Sequence, residues 1–161
     1  MIHRDMESLR ADWRDLAIIT LRDMQADPVI KNAGYQIIVL ETLRDVAVQM
    51  AYAVRSRIKA RPEDGCTDLD WVHRFFAAAG LSWAPTAEEN QRPSTWTLDS
   101  AHIKGHAFDA APSRDGVNPA WDAPDAVWER MATIAEAHGV VPGRHFPDRK
   151  KDSPHFEAKE A

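Results

Sequence analysis

Ser100-Ala101-His102-Ile103-Lys104-Gly105-His106-Ala107-Phe108-Asp109 and, further on, Asp152-Ser153-Pro154-His155-Phe156-Glu157 decide how this chain folds and what it can hold. Together they offer imidazoles and a carboxylate as metal ligands, with Asp152 three residues before the last histidine. Two histidines and one acid are the inventory of a catalytic zinc site, which takes three protein ligands and leaves one position open for water. If residues 105–109 form a strand, Gly105, Ala107 and Asp109 share one face while His106 and Phe108 share the other. The small residues beside Asp109 leave room for an ion near the backbone. A turn followed by a solvated edge strand fits the same letters. So does a helical pairing of His102 with His106, although Gly105 and the missing glutamate after His102 weaken it. In the second segment Pro154 fixes its own φ and holds Ser153 extended. His155 and Glu157 then point one way and Phe156 into the core, with Asp152 just outside the strand and able to reach over an ion bound to His155. A solvated Asp-Ser-Pro turn is the plain alternative.

Outward from these segments the chain reads as α+β. Met6, Leu9, Trp13, Leu16, Ala17, Leu21 and Met24 recur at helical steps and predict a helix over 4–26, stopped by Asp27-Pro28. Tyr35 to Leu40 is a β-branched run of strand length. Val46, Met50, Val54 and Ile58 predict a helix over 45–59, before the turn cluster of 61–65. A further helix is predicted from Asp68 to Ala79, ending at Gly80. Residues 84–94 read as a loop, Trp96-Thr97-Leu98 as a short strand, and 106–111 as another. Pro124 opens a helix that turns Val127, Met131, Ile134 and Ala135 inward and stops at Gly139. A final strand is expected at His155-Phe156-Glu157, followed by a charged tail. No repeat or linker divides the 161 residues, so one domain over 1–161 is expected.

Composition narrows the partners. Hydrophobic residues at 44% and charged residues at 28% are ordinary for a globular chain. A net charge of −5 with no basic stripe argues against nucleic acid. Nothing is long and apolar enough to span a bilayer, and the charged start is not a signal peptide. Synthesis in the cytoplasm is therefore expected. The single cysteine, Cys66, excludes an intramolecular disulfide and a Cys-based zinc site. Six tryptophans are many for this length, and one or two could line a groove. His3, His73 and His138 are expected to be exposed, and His145 is a candidate substrate contact.

The ten-residue segment resembles the S-x-H-x-x-G-x-A-x-D signature of the M15 zinc peptidases, the family of D-Ala-D-Ala carboxypeptidases and L-alanyl-D-glutamate endopeptidases. Asp152 to Glu157 is similar to that family's closing D/E-x-x-H segment. The stretch from Trp128 to Val140 resembles the helix and glycine before it, and Glu41-Thr42-Leu43-Arg44 with Gln49 resembles its strand-to-helix corner. Thr95 to Ser100 is similar to phage lysis enzymes of the group. The resemblance covers roughly residues 30–157. Pro142 to Phe146 departs from it by lacking the tryptophans often found there, Ala110-Ala111 replaces a usual leucine, and 64–90 has no clear counterpart.

The resemblance implies a small antiparallel sheet flanked by helices, as in the Hedgehog and D,D-peptidase folds. It implies one zinc per chain held by His102, Asp109 and His155, with Asp152 as general base and Arg44 polarising the scissile carbonyl. Those roles suit zinc's power to make water nucleophilic near neutral pH and a carboxylate's power to move its proton. Arg44 read alone fits equally a cation at a helix start beside Asp45 or Glu41. Glu157, on the same face as His155, is either a partner that orients that ligand or the alternative base. The implied activity is hydrolysis of a peptidoglycan stem peptide, at L-Ala–D-Glu in the first instance. D-Ala-D-Ala carboxypeptidase and D-Ala–diaminopimelate endopeptidase activities are the alternatives. A monomeric endolysin released to the periplasm through a holin is the implied setting. The competing expectation is a wall-binding protein stapled by zinc, which needs a fourth protein ligand from Cys66 or His145.

Overall fold

The computed structural model describes residues 3–92, 94, 95 and 97–159. Helices α1 (Ala11–Ala26), α2 (Pro28–Asn32), α3 (Val46–Val54), α4 (Asp68–Ala78) and α5 (Asp125–Ala137) accompany strands β1 (Gln36–Glu41), β2 (Ala107–Ser113), β3 (Val141–Pro142) and β4 (His155–Glu157). The expected α+β class, with a small antiparallel sheet, is what forms. The chain divides into two compact units, one of His3–Leu43 with Lys104–Ala161 and one centred on Arg44–Ile103.

The first unit holds the sheet, in the order β1-β2-β4-β3 with every pair antiparallel. Alternation along the strands sends Phe108 and Phe156 to one side, where they face each other in register and stack at 5.2 Å. Trp13 from α1 lies over Phe108 at 6.0 Å, and Val127, Met131 and Ala135 bring α5 into the same core. Each fully buried ring or aliphatic side chain there contributes roughly 1.5–3 kcal/mol. Asp27 ends α1 and starts α2 by accepting the Val29 and Ile30 amides at 3.0 and 3.1 Å, with Pro28 at the first helical position. Its second oxygen takes Arg130 of α5 at 2.7 Å, which fixes α2 against α5.

The second unit packs α3 on α4 around Val48, Ala51, Val72 and Phe76. Thr67 and Asp70 form a reciprocal capping box at the start of α4, and Gly80, at φ +70°, closes its end as expected.

Several expectations need correction. The helix predicted over 4–26 is a 3₁₀ turn at Met6–Ser8 and then α1, because the Arg10 amide is spent on the carbonyl of Gly105 at 3.0 Å. His3 precedes that turn, half-buried rather than exposed, and its carbonyl accepts the Thr42 amide. Leu16 is exposed rather than inward. The helix predicted over 45–59 stops at Val54, and Val46 and Met50 are 59% and 47% exposed, while Val48, Gln49 and Ala51 face inward. Thr97 and Leu98 belong to no strand, and Trp96 lies outside the described residues. The two-residue β3 was not anticipated. His73 is exposed as expected, but His138 is half-buried against Asp23.

Candidate metal centre

The pairing of β2 with β4 sets Asp109 opposite His155 on the sheet face away from Phe108 and Phe156. The Pro154 carbonyl accepts the Ala110 amide at 2.9 Å, so the ladder continues one step beyond β4 and the register cannot slip. Asp109 Oδ1 lies 3.2 Å from His155 Nδ1, and Glu157, two residues along on the same face, places Oε2 2.9 Å from His155 Nε2. Burial opposes charge on this ring, but the hydrogen bonds and charges of Asp109 and Glu157 outweigh it and push the pKa up to about 9. Two carboxylates facing one imidazole make a pocket for positive charge. With Nε2 committed to Glu157, Nδ1 is the nitrogen that faces Asp109. A carboxylate on the far nitrogen of a ligating histidine is the usual device for fixing its tautomer and orientation. That placement suits Glu157 to hold the orientation of the His155 ring.

His102, 2% exposed, sits in the turn of residues 101–105. Ser100 Oγ accepts its amide at 3.3 Å and the Ser100 carbonyl accepts that of Ile103. The turn ends at Gly105 with φ +68°, where a Cβ would come within 3.2 Å of the Arg10 amide nitrogen. The serine and glycine spaced around His102 thus have a mechanical reason. His102, Asp109 and His155 each offer a ligand atom, and these atoms all lie within 4.8 Å of one another. Among the described residues this is the group able to hold a metal ion, and neither Cys66 nor His145 joins it. Two imidazole nitrogens and one carboxylate oxygen suit zinc, whose binding would displace the proton from His155, and three protein ligands leave a coordination position open. The helical pairing of His102 with His106 is overturned. Residues 101–105 are turns, and His106 Nε2 approaches Asp12 at 3.6 Å instead.

Asp152 is exposed on the turn before β4. Its amide donates to the Gly143 carbonyl at 3.0 Å and its carbonyl accepts the His155 amide at 3.2 Å. Arg44 immediately precedes the α3 cap, and its amide donates to the His102 carbonyl at 3.2 Å. Its guanidinium donates to Gln49 Oε1 at 2.8 Å and lies 5.0 Å from the centre of the Tyr52 ring. Gln49, fully buried, donates in turn to Thr95 Oγ1 and the Thr97 carbonyl. His145 is held between Glu129 and Glu136, whose hydrogen bonds raise its pKa. Arg144 was not singled out by its sequence. It is buried by Asp125, Glu129 and Ser153, partners 9 to 19 residues away that no local pattern announces.

Residues 94–158, less than half of the chain, match a family described as D-alanyl-D-alanine carboxypeptidase, within the M15 peptidases. No curated protein matches the chain. Among solved structures, the L-Ala D-Glu endopeptidase ChiX of Serratia marcescens is similar at 20% identity, covering 99% of this chain and 89% of that one with a TM-score of 0.51. The vancomycin-resistance D,D-pentapeptidase VanY from a VanB-type cassette, a variant in complex with Zn(II), also shares 20% identity. There the match covers 89% of this chain and 70% of the other, with a TM-score of 0.45. At this identity the likeness to ChiX is one of fold.

Proposed function

We propose that this chain, whose residues 94–158 match an M15 peptidase family, is a zinc-dependent peptidase acting on the stem peptide of peptidoglycan. The observation that carries the proposal is the His102, Asp109 and His155 group, which among the described residues gathers three ligand atoms and no fourth. A structural staple would need that fourth protein ligand.

His102, Asp109 and His155 would hold the zinc, with Glu157 orienting His155. Zinc, when bound, supplies a Lewis acid and a water made nucleophilic near pH 7. Asp152, on the turn leading to His155, is the base that takes a proton and returns it to the leaving amine. Arg44 stays charged at all working pH values and offers donors to the oxygen that gains charge. Losing a donor of this kind typically costs on the order of 10²–10³ in rate. Gln49 and Tyr52 restrain the Arg44 guanidinium, so little ordering is left for the moment of reaction.

We place the scissile bond between L-Ala and D-Glu, a reading supported by the endopeptidase named among the fold neighbours. The family description favours release of D-Ala as the second reading. An endolysin setting, with a single peptidase domain acting as a monomer on periplasmic peptidoglycan after holin release, is part of the same proposal. Digestion of purified muropeptides by zinc-loaded protein, followed by mass spectrometry of the new termini, tests it. Free L-Ala carboxyl and D-Glu amino ends support the first bond, and released D-Ala the second. Intact muropeptides after exhaustive digestion would refute peptidase action.

A further inference from the structure

We propose that Arg144 and Ser153 form a positioning clamp that aims Asp152, a role resting on the reading of Asp152 as general base. Arg144 is only 7% exposed, and a charge so far out of water must be paired. Its Nε donates to Glu129 Oε2 at 2.9 Å and its Nη2 to Asp125 Oδ1. Asp125 and Glu129 lie one turn apart on the same face of α5. These two carboxylates already neutralise the cation. The remaining edge of the guanidinium is spent differently: Nη1 donates to Ser153 Oγ at 3.2 Å. Ser153 is uncharged and adjoins Asp152, so this contact secures a piece of chain more than it balances a charge.

The backbone beside Arg144 grips the same turn. The Gly143 carbonyl accepts the Asp152 amide at 3.0 Å. A Cβ added at Gly143 would stand 2.5 Å from the Asp152 carbonyl oxygen, so the two backbones are already in close contact. Successive residues 143 and 144 thus hold successive residues 152 and 153. The grip is rooted in α5, whose Val127, Trp128 and Met131 are buried in the core.

Asp152 needs such a grip because it lies outside β4, exposed, on a turn closed by the bond from the His155 amide. Sheet pairing fixes His155 but stops short of Asp152. Arginine suits the task because its planar fork can serve three acceptors in fixed directions, which an ammonium cannot.

The test compares Ser153→Ala, Ser153→Thr and Arg144→Lys, each loaded with zinc, on muropeptide. Ser153→Ala removes one hydroxyl, and we expect kcat to fall about tenfold with KM unchanged, since misplacement by an ångström can cost up to about 10²-fold. Zinc content should stay at one per chain and Tm should not move. Ser153→Thr keeps the hydroxyl and should restore kcat to within about threefold, which a packing role for the serine does not require. Arg144→Lys should lose a similar factor, and joining it to Ser153→Ala should add little, because the two act as one unit. Wild-type kcat in Ser153→Ala would overturn the clamp while leaving the peptidase reading intact. So would a loss explained by missing zinc or a lowered Tm, or losses that simply multiply. If the wild-type protein cleaves nothing, or Asp152→Asn cleaves as well as wild type, the base assignment and the clamp fall together.

Discussion

Gly143→Ala is the smallest change that should disturb both halves of the proposed chemistry. Gly143 is not among the glycines with positive φ, so alanine brings no backbone strain and the perturbation is one of space. The added Cβ would lie 2.5 Å from the Asp152 carbonyl oxygen and 2.9 Å from His155 Cβ, where real contacts stay beyond 3.0 Å. The turn must therefore retreat from residue 143 by at least about half an ångström, a distance that exceeds the roughly 0.2 Å tolerance of metal–ligand bonds. Neither clashing atom is the tip of a flexible side chain, so no rotamer change relieves the overlap. Overpacking of this kind costs about 1–3 kcal/mol. At about 2–4 °C per kcal/mol for a chain of this size, Tm should fall by roughly 2–12 °C. Because His155 is a proposed ligand, zinc affinity should drop about 10–100-fold, as for other disturbances of a ligand's setting. Calorimetry gives the first quantity, competition with a chromophoric chelator the second, and muropeptide turnover at saturating zinc a third. Wild-type values in all three would refute the close packing of Gly143 on the Asp152 turn, and with it the clamp's backbone half.

Asp152→Asn keeps the side-chain shape and removes the proton acceptor, so zinc should bind normally while most turnover is lost. Glu157→Gln should instead weaken zinc by about 10–100-fold. Normal turnover in the first variant with loss in the second at saturating zinc would make Glu157 the base. Chelation with EDTA should abolish activity while far-UV circular dichroism is retained, because the cluster around Phe108 and Phe156 contains no ligand; collapse of the spectrum would point to a structural ion. Asp27 has a pKa held below the ordinary carboxylate value, first by the hydrogen bond from Arg130 and despite burial. Its contribution is thus present above about pH 4 and lost as pH falls through the lowered folded value. Arg130→Gln should cost about 1–3 kcal/mol at pH 7 and less in acid, as measured by urea unfolding at several pH values, and an equal loss at all pH values would contradict the pairing.

How much of this was legible in the sequence depended on whether the deciding contact was local. The end of α4 and the final strand could be read because Gly80 closes the helix within one turn, and because Phe156 alternates with His155 and Glu157. The inward face of α3 was misread. Val46 and Met50 carry the apolar period, but Gln49 is buried because Arg44, Thr95 and Thr97 satisfy its amide. The break before α1 was invisible for a similar reason, since the Arg10 amide finds its partner at Gly105. Arg144 gave no local signal in its Pro-Gly-Arg-His-Phe segment, because its burial depends on the Asp125 and Glu129 carboxylates of α5.

The ligands and the core are two consequences of one strand period. In β2, Phe108 enters the core and Asp109 faces away; in β4, Phe156 enters the core and His155 and Glu157 face away. Pairing Phe108 with Phe156 in register necessarily pairs Asp109 with His155, so the hydrophobic term that folds the sheet also sets the distance between two ligands. A one-residue slip would bury Asp109 or His155 among aromatic rings, at a cost far above that of losing a ladder bond. Metal is therefore not needed to hold Asp109 and His155 in register. What the sheet does not determine is the direction of Asp152, which lies beyond its last paired residue, and that is where Arg144, Ser153 and Gly143 converge.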